Sequence, residues 1–192
     1  MIRCENLTEE DLEQMGAWTA EAFLGEPGCF QCLSPESARK LFTLILRTCY
    51  ETGHLYAASE NREGICVYWI KAQRPGPWVQ LKMGLQMCRC MTLKEALALG
   101  KTQSSWKSTE KRYQKTEDFV EVFLLAVRKD CQGQGHFRRM LEEPFALARK
   151  RGTVCVLDTD SQRKADKYSH AGMHVAAQKL QKSGHQMFAM EI

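Results

Sequence analysis

The chain has 192 residues, 44% of them hydrophobic, with nine cysteines and a formal net charge of +4. That length suits one ordinary domain with a substantial core, and the scattered, mildly positive charge falls short of the dense basic stripe of a nucleic-acid binder. No apolar run approaches a membrane span, and Met1-Ile2-Arg3 opens on folded-looking sequence instead of a signal peptide, so a cytoplasmic protein without nucleic-acid or membrane partners is expected.

In chain order, residues 2–7 read as a short first strand. Thr8-Glu9-Glu10-Asp11 starts a capped helix carrying Leu12, Met15, Trp18 and Phe23, which Gly25-Glu26-Pro27-Gly28 ends. Ser34-Pro35-Glu36 begins a second helix, with Leu41, Leu44, Ile45 and Cys49 on one face. Residues 55–59 and 64–71 predict a hairpin, and Pro75-Gly76-Pro77 stops its second strand. From about residue 78 to about 115 the pattern is helix-like, with Leu81, Leu85 and Cys88 on one face and Leu93, Ala96 and Leu97 on another. Met83, Met87 and Met91 recur along one side, as adaptable core packing would.

A strand pattern follows from Glu121 to Val127, then a glycine-bearing loop and a helix whose Phe137, Met140, Leu141, Pro144, Phe145 and Ala148 face the sheet. Pro144 should bend that helix. A buried-strand run over 153–157 precedes a short helix bearing Tyr168. The chain closes with strands over 174–180 and 185–192, joined by Gln181-Lys182-Ser183-Gly184. No second domain or repeat is visible, so residues 1–192 are read as a single domain with a helical insertion at about 78–115 between the third and fourth strands.

Cys29-Phe30-Gln31-Cys32 and Cys88-Arg89-Cys90 invite a zinc or disulfide reading. The cysteine count is odd, the neighbours are largely apolar, and only one Cys-x-x-Cys pair exists where a zinc knuckle wants two. Reduced core cysteines and no metal are therefore expected.

The segment 121–138 is the most informative. Gly133 and Gly135 remove side chains that would hold an anion off the backbone, and the helix start that follows offers unpaired N–H groups and a positive dipole end. A Walker loop would need Lys and Ser/Thr after the last glycine, where His136 and Phe137 stand. A dinucleotide fingerprint would need a third glycine where Arg138 stands. The segment resembles motif A of the GNAT acyltransferases, Gln/Arg-x-x-Gly-x-Gly/Ala after a strand ending in Leu-Ala-Val. Leu125-Ala126-Val127, Gln132 and Gly135 match it, and Phe137 departs from its last small residue. Downstream, Leu157-Asp158-Thr159, Tyr168 and Gly172 resemble motif B of the same family, with Ser161 where many members place Asn. The register of motif B is similar to the small-molecule branch.

This resemblance implies an α/β (α+β) GNAT fold: a central mixed, mostly antiparallel sheet of about seven strands, flanked by helices and splayed at the acetyl-CoA site. It implies acetyl-CoA as co-substrate, with backbone N–H groups of Leu125, Ala126 and Val127 polarising the thioester carbonyl. The loop Gln132, Gly133, Gln134, Gly135, His136, Phe137 and Arg138 would hold the pyrophosphate, mainly through main chain, with Ser161 near the cofactor. Tyr168 matches the family tyrosine that returns a proton to the departing thiolate. Glu121 stands in the register of the family's catalytic glutamate, and strict strand alternation would put it on one face with Phe123, Leu125 and Val127, beside the thioester.

The expected activity is direct acetyl transfer to a primary amine, of a small molecule in preference to a protein tail. Alternatives are a non-catalytic acyl-CoA-binding sensor and a protein or peptide N-acetyltransferase. The oligomeric state, a homodimer included, is left open.

Overall fold

A computed structural model describes residues 1–103, 118–181 and 184–192. Strands β1 (Ile2–Arg3), β2 (Leu55–Ala57), β3 (Gly64–Ile70) and β4 (Val120–Val127) pair antiparallel in sequence order. β5 (Cys155–Thr159) lies parallel to β4. The closing hairpin of β6 (His174–Leu180) and β7 (Gln186–Glu191) inserts with β7 against β5, giving one seven-stranded sheet in the order β1-β2-β3-β4-β5-β7-β6. The expected mixed, mostly antiparallel sheet is present. Residues 104–115 of the expected helical stretch, and Lys182 and Ser183 of the expected turn, lie outside the described residues.

The helices begin where short polar side chains can satisfy their first N–H groups. At α1 (Glu9–Leu24), Thr8 and Asp11 form a reciprocal capping box. At α2 (Pro35–Glu51), the Ser34 hydroxyl accepts from the Ser37 N–H and Pro35 occupies the first turn. The insertion after β3 holds α3 (Pro77–Cys90) and α4 (Leu93–Gln103). Thr92 and Glu95 cap α4 reciprocally, and Glu95 also accepts from the Ser34 N–H at 2.7 Å and the Ser37 hydroxyl at 3.0 Å. One carboxylate thus fastens the start of α4 to the start of α2. These bonds, led by the backbone N–H groups, pull the Glu95 carboxyl down to about 2.

Two cores flank the sheet. On one face α1 and α2 bury Met15, Leu41, Phe42 and Leu46 against Ile65, Val67 and Leu124. On the other, α5 (His136–Arg151) and α6 (Gln162–His170) bury Met140, Leu141, Phe145 and Ala165 against Cys66, Val122, Leu157 and Phe188. Pro144 sits inside α5 and is buried, as the pattern of apolar positions predicts. Met87 and Met91 pack against the first core, and the exposed stripe of α3 is the one bearing Leu81 and Leu85.

α1 and α2 cross closely at Gly16, where an added Cβ would lie 2.8 Å from both Cα and N of Thr43. Backbone cannot yield as a flexible side chain can, so Gly16→Ala should cost about 1–3 kcal/mol despite alanine's better helix propensity. Urea denaturation of the two proteins measures this; an unchanged midpoint would mean that the helices separate freely.

Candidate active site

β4 keeps its full ladder with β3 as far as Gly64 opposite Val127, yet it pairs with β5 only at Val120 with Cys155 and Glu121 with Val156. On its other edge β5 pairs with β7 from Val156 to Thr159. A gap therefore opens between β4 and β5 just beyond Glu121, and the β4 edge from Val122 to Val127 carries no ladder bonds to β5. Leu125, Ala126 and Val127 all lie on this stretch unpaired by β5; apart from the Val127 carbonyl, which Gln132 reaches, it leaves main-chain groups available to a ligand inserted between the strands.

The β3–β4 register slips once, so that Val67 faces Leu124 while Tyr68 faces Val122. Phe123 is the extra residue of a β-bulge. The bulge changes the phase of the strand. Val120, Val122 and Leu125 join the core under α5, whereas Leu124 and Ala126 join the core under α1 and α2. Glu121 faces the α1–α2 side with Trp69, so simple alternation, which puts its carboxylate on one face with Leu125 and Val127, fails at the bulge.

The Trp69 indole N–H donates to Glu121 Oε2 at 2.8 Å, and Arg74 Nε lies 3.9 Å from the same oxygen. Phe123, 40% exposed, stacks on Trp69 with ring centroids 5.0 Å apart, and His54 meets Trp69 edge-on at 5.7 Å. Burial pushes the Glu121 carboxyl above its ordinary value; Trp69 and Arg74 pull it back in part, and the Asp158 carboxylate adds to the rise. The result is a mostly buried carboxylate with an aromatic wall beside it, at the vertex of the gap.

After β4 the chain turns through Lys129–Cys131 into the glycine loop. Gly133 and Gly135 adopt φ of +78° and +79°, the left-handed region that glycine enters without strain, and an added Cβ at either would project into open space. Gly135 is the N-cap of α5 and supplies no side chain, so the first N–H groups of that helix, from His136 to Arg138, have no capping partner from it. Gln132 donates to the Val127 carbonyl at 3.3 Å and Gln134 to the Asp130 carbonyl at 3.2 Å, which folds the loop back on the strand end. Arg139 donates to Nδ1 of a half-buried His136 at 3.1 Å, while Arg138 is exposed. Phe137 points inward, its ring 5.1 Å from that of Tyr168, so the residue that departs from the motif occupies space beneath the helix start. A cavity of about 530 Å³ adjoins the loop, lined by Ala20, Glu21 and Leu24 of α1, Arg39 of α2, Lys129 and Gln132. Neither Glu121 nor Tyr168 lines it.

Tyr168 sits on α6 and packs into the core under α5, on the opposite face of the sheet from Glu121. Burial, with smaller contributions from Cys66 and Asp160, pushes its phenol above the ordinary value, so the group is protonated at neutral pH. Ser161 is the N-cap of α6, its hydroxyl accepting from the Lys164 N–H at 3.4 Å.

Beside it Asp160 makes a link that the sequence pattern does not announce. Its carboxylate accepts from the Cys29 N–H at 2.7 Å and from Lys164 Nζ at 2.6 Å, while Glu26 lies 2.9 Å from Lys167 and 3.3 Å from Arg163. These bonds carry the α1–α2 connection across to α6. Trp69, Phe123 and Asp160 were each findable in principle: a tryptophan in a buried strand needs a partner for its N–H, and a buried acid after a buried run needs a cation.

No family model and no curated protein matches the chain. Solved structures do. Arylalkylamine N-acetyltransferase 2 from Aedes aegypti aligns over 98% of this chain and 96% of its own, at 13% identity and a TM-score of 0.60. An N-acetyltransferase from Staphylococcus aureus Mu50 aligns over all of both chains, at 14% identity and a TM-score of 0.59. The C-terminal condensation domain of Ebony, in complex with beta-alanyl-dopamine, covers 97% of this chain and 95% of its own, at 10% identity and a TM-score of 0.60. The architecture is the GNAT fold.

The Asp160 link sets an expectation for stability. Burial raises the Asp160 carboxyl, but Lys164 and the Cys29 N–H outweigh it and leave the group below its ordinary value. Its contribution is therefore present above the unfolded value of about 3.9 and fades as pH falls through the lower folded value. Asp160→Asn should cost about 1–3 kcal/mol at neutral pH, with the difference from the parent shrinking below about pH 4. Urea titrations at the two pH values test both parts; a pH-independent difference would remove the carboxylate's charge from the account.

Proposed function

We propose that the protein is an acetyl-CoA-dependent N-acetyltransferase acting on a small primary amine that carries an apolar or aromatic body. The observation that carries this reading is the gap between β4 and β5 with a mostly buried carboxylate at its vertex, together with a protonated phenol packed on the opposite face of the sheet. The uncapped start of α5, with the two left-handed glycines before it, suits the pyrophosphate of CoA. The unpaired edge of β4 suits the pantetheine chain and offers N–H donors to the thioester carbonyl.

In this reading the acceptor approaches from the α1–α2 face. Its nitrogen attacks the thioester carbon, forming the C–N bond as the C–S bond breaks. Glu121 takes the proton lost by the attacking amine, and Tyr168 donates one to the departing thiolate on the other face, so the products are an amide and a free thiol with no covalent enzyme intermediate. A carboxyl raised by burial is better matched to accepting that proton than an exposed one. The Trp69–Phe123 stack beside Glu121 favours an ammonium or an aromatic ring at the acceptor position. The arylalkylamine acetyltransferase among the structural neighbours is consistent with that preference.

Acetyl-CoA offered with a panel of arylalkylamines, polyamines and amino-terminal peptides, with thiol release as readout, should show turnover on small amines bearing apolar groups. Glu121→Gln should lower kcat by about 10²–10⁴. CoA binding without turnover on any amine, insensitive to Tyr168→Phe, would identify a non-catalytic acyl-CoA-binding protein instead.

The Trp69 N–H stabilises the charged form of Glu121. Trp69→Phe removes that donor, so the Glu121 carboxyl should rise further and the acidic limb of the kcat profile should move to higher pH. An unmoved limb would show that another group governs it.

A further inference from the structure

Five of the ten exposed large apolar side chains among the described residues lie on α3 and α4: Trp78, Leu81, Leu85, Leu93 and Leu97. Trp78 is 81% exposed and Leu93 77%. Three of them form one stripe. At about 100° per residue, Trp78, Leu81 and Leu85 fall within about 60° of one another around α3. The opposite side of that helix is already satisfied, since Met87 and Cys90 pack against the core beneath α2. Leu93 and Leu97 begin α4 after a link of two residues, Met91 and Thr92.

Among the described residues, the exposed charge on the same helices has one sign. Lys82, Arg89 and Lys94 are exposed, with Lys82 and Arg89 flanking the apolar stripe on α3. The single acid in residues 77–103 is Glu95, which is buried and bonded to Ser34, Ser37 and Thr92.

We infer that the α3–α4 insertion is a docking surface for an anionic lipid bilayer. An exposed leucine stripe with an indole at one end and cations along its flank is the pattern of a helix that lies in the interface plane, its apolar groups below the headgroups and its cations among the phosphates. Such docking needs no spanning run, and no helix among the described residues is long and apolar enough to cross a membrane. A second copy of the chain fits the surface poorly, because a two-fold contact through this face would set its cations against their own equivalents. The inference is independent of the acetyl transfer proposed above.

Co-sedimentation of the full chain with vesicles tests it. Phosphatidylcholine vesicles containing about 30 mol% phosphatidylserine should bind the protein about tenfold more than pure phosphatidylcholine, and about 0.5 M salt should release it. The double variants L81Q/L85Q and K82E/R89E should each reduce binding about tenfold, with circular dichroism and thermal midpoint unchanged. Equal binding to both vesicle types, no binding to either, or full binding by both folded variants would overturn the inference. So would a concentration-dependent dimer that L81Q/L85Q dissolves in the absence of vesicle binding, which would make a second copy the occupant.

Discussion

Only Val120 and Glu121 join β4 to β5, and the rest of the site depends on that short ladder. A sheet gains a pair of backbone bonds for roughly every two residues paired, so leaving most of β4 without a partner on one edge forgoes several of them. The fold tolerates this because β3 holds β4 along its whole length and β7 holds β5 from Val156 to Thr159. Each arm of the opening thus keeps a paired partner strand. The opening leaves main-chain groups of β4 without a strand partner, between cores packed on both faces of the sheet.

The gap would weaken the molecule if nothing rejoined its arms. Asp160 and Glu26 do so at a distance, tying the connection between α1 and α2 to the first turns of α6. Gly28 is part of the arrangement, because a side chain there would run into the Asp160 carboxylate. Bulge and clasp also sort the polar groups. Glu121 is left on the α1–α2 face with Trp69 and Phe123, and Tyr168 on the α5–α6 face with Phe137. The Glu121 carboxylate and the Tyr168 phenol are thereby separated by the sheet itself.

Helix starts were legible because their cause is local. Thr8 with Asp11, and Ser34 with Pro35, lie within one turn of the groups they satisfy, and both mark the starts found in the structure. The glycine loop was legible for the same reason, since positive φ at Gly133 and Gly135 is a property of single residues. The face of Glu121 was not. Alternation is a sound rule for an unbroken strand, but one inserted residue at Phe123 inverts it, and the register that creates the bulge is set by β3, whose residues lie more than 50 positions away. The exposed leucines of α3 show the same limit. Periodicity identifies Leu81 and Leu85 as one face and the methionines as a packing side, and only the packing reveals that the leucine face is left exposed.

The sequence by itself determined the order of elements, the glycine loop and the family resemblance of its two motifs, all of which depend on residues close together in the chain. Tertiary structure alone decided which strands part company, which way Glu121 points, what holds it there, and how the two arms are clasped. Those outcomes rest on contacts such as Trp69 with Glu121 and Cys29 with Asp160. Their partners are brought together by the packing of two cores on one sheet, and no local propensity encodes that meeting.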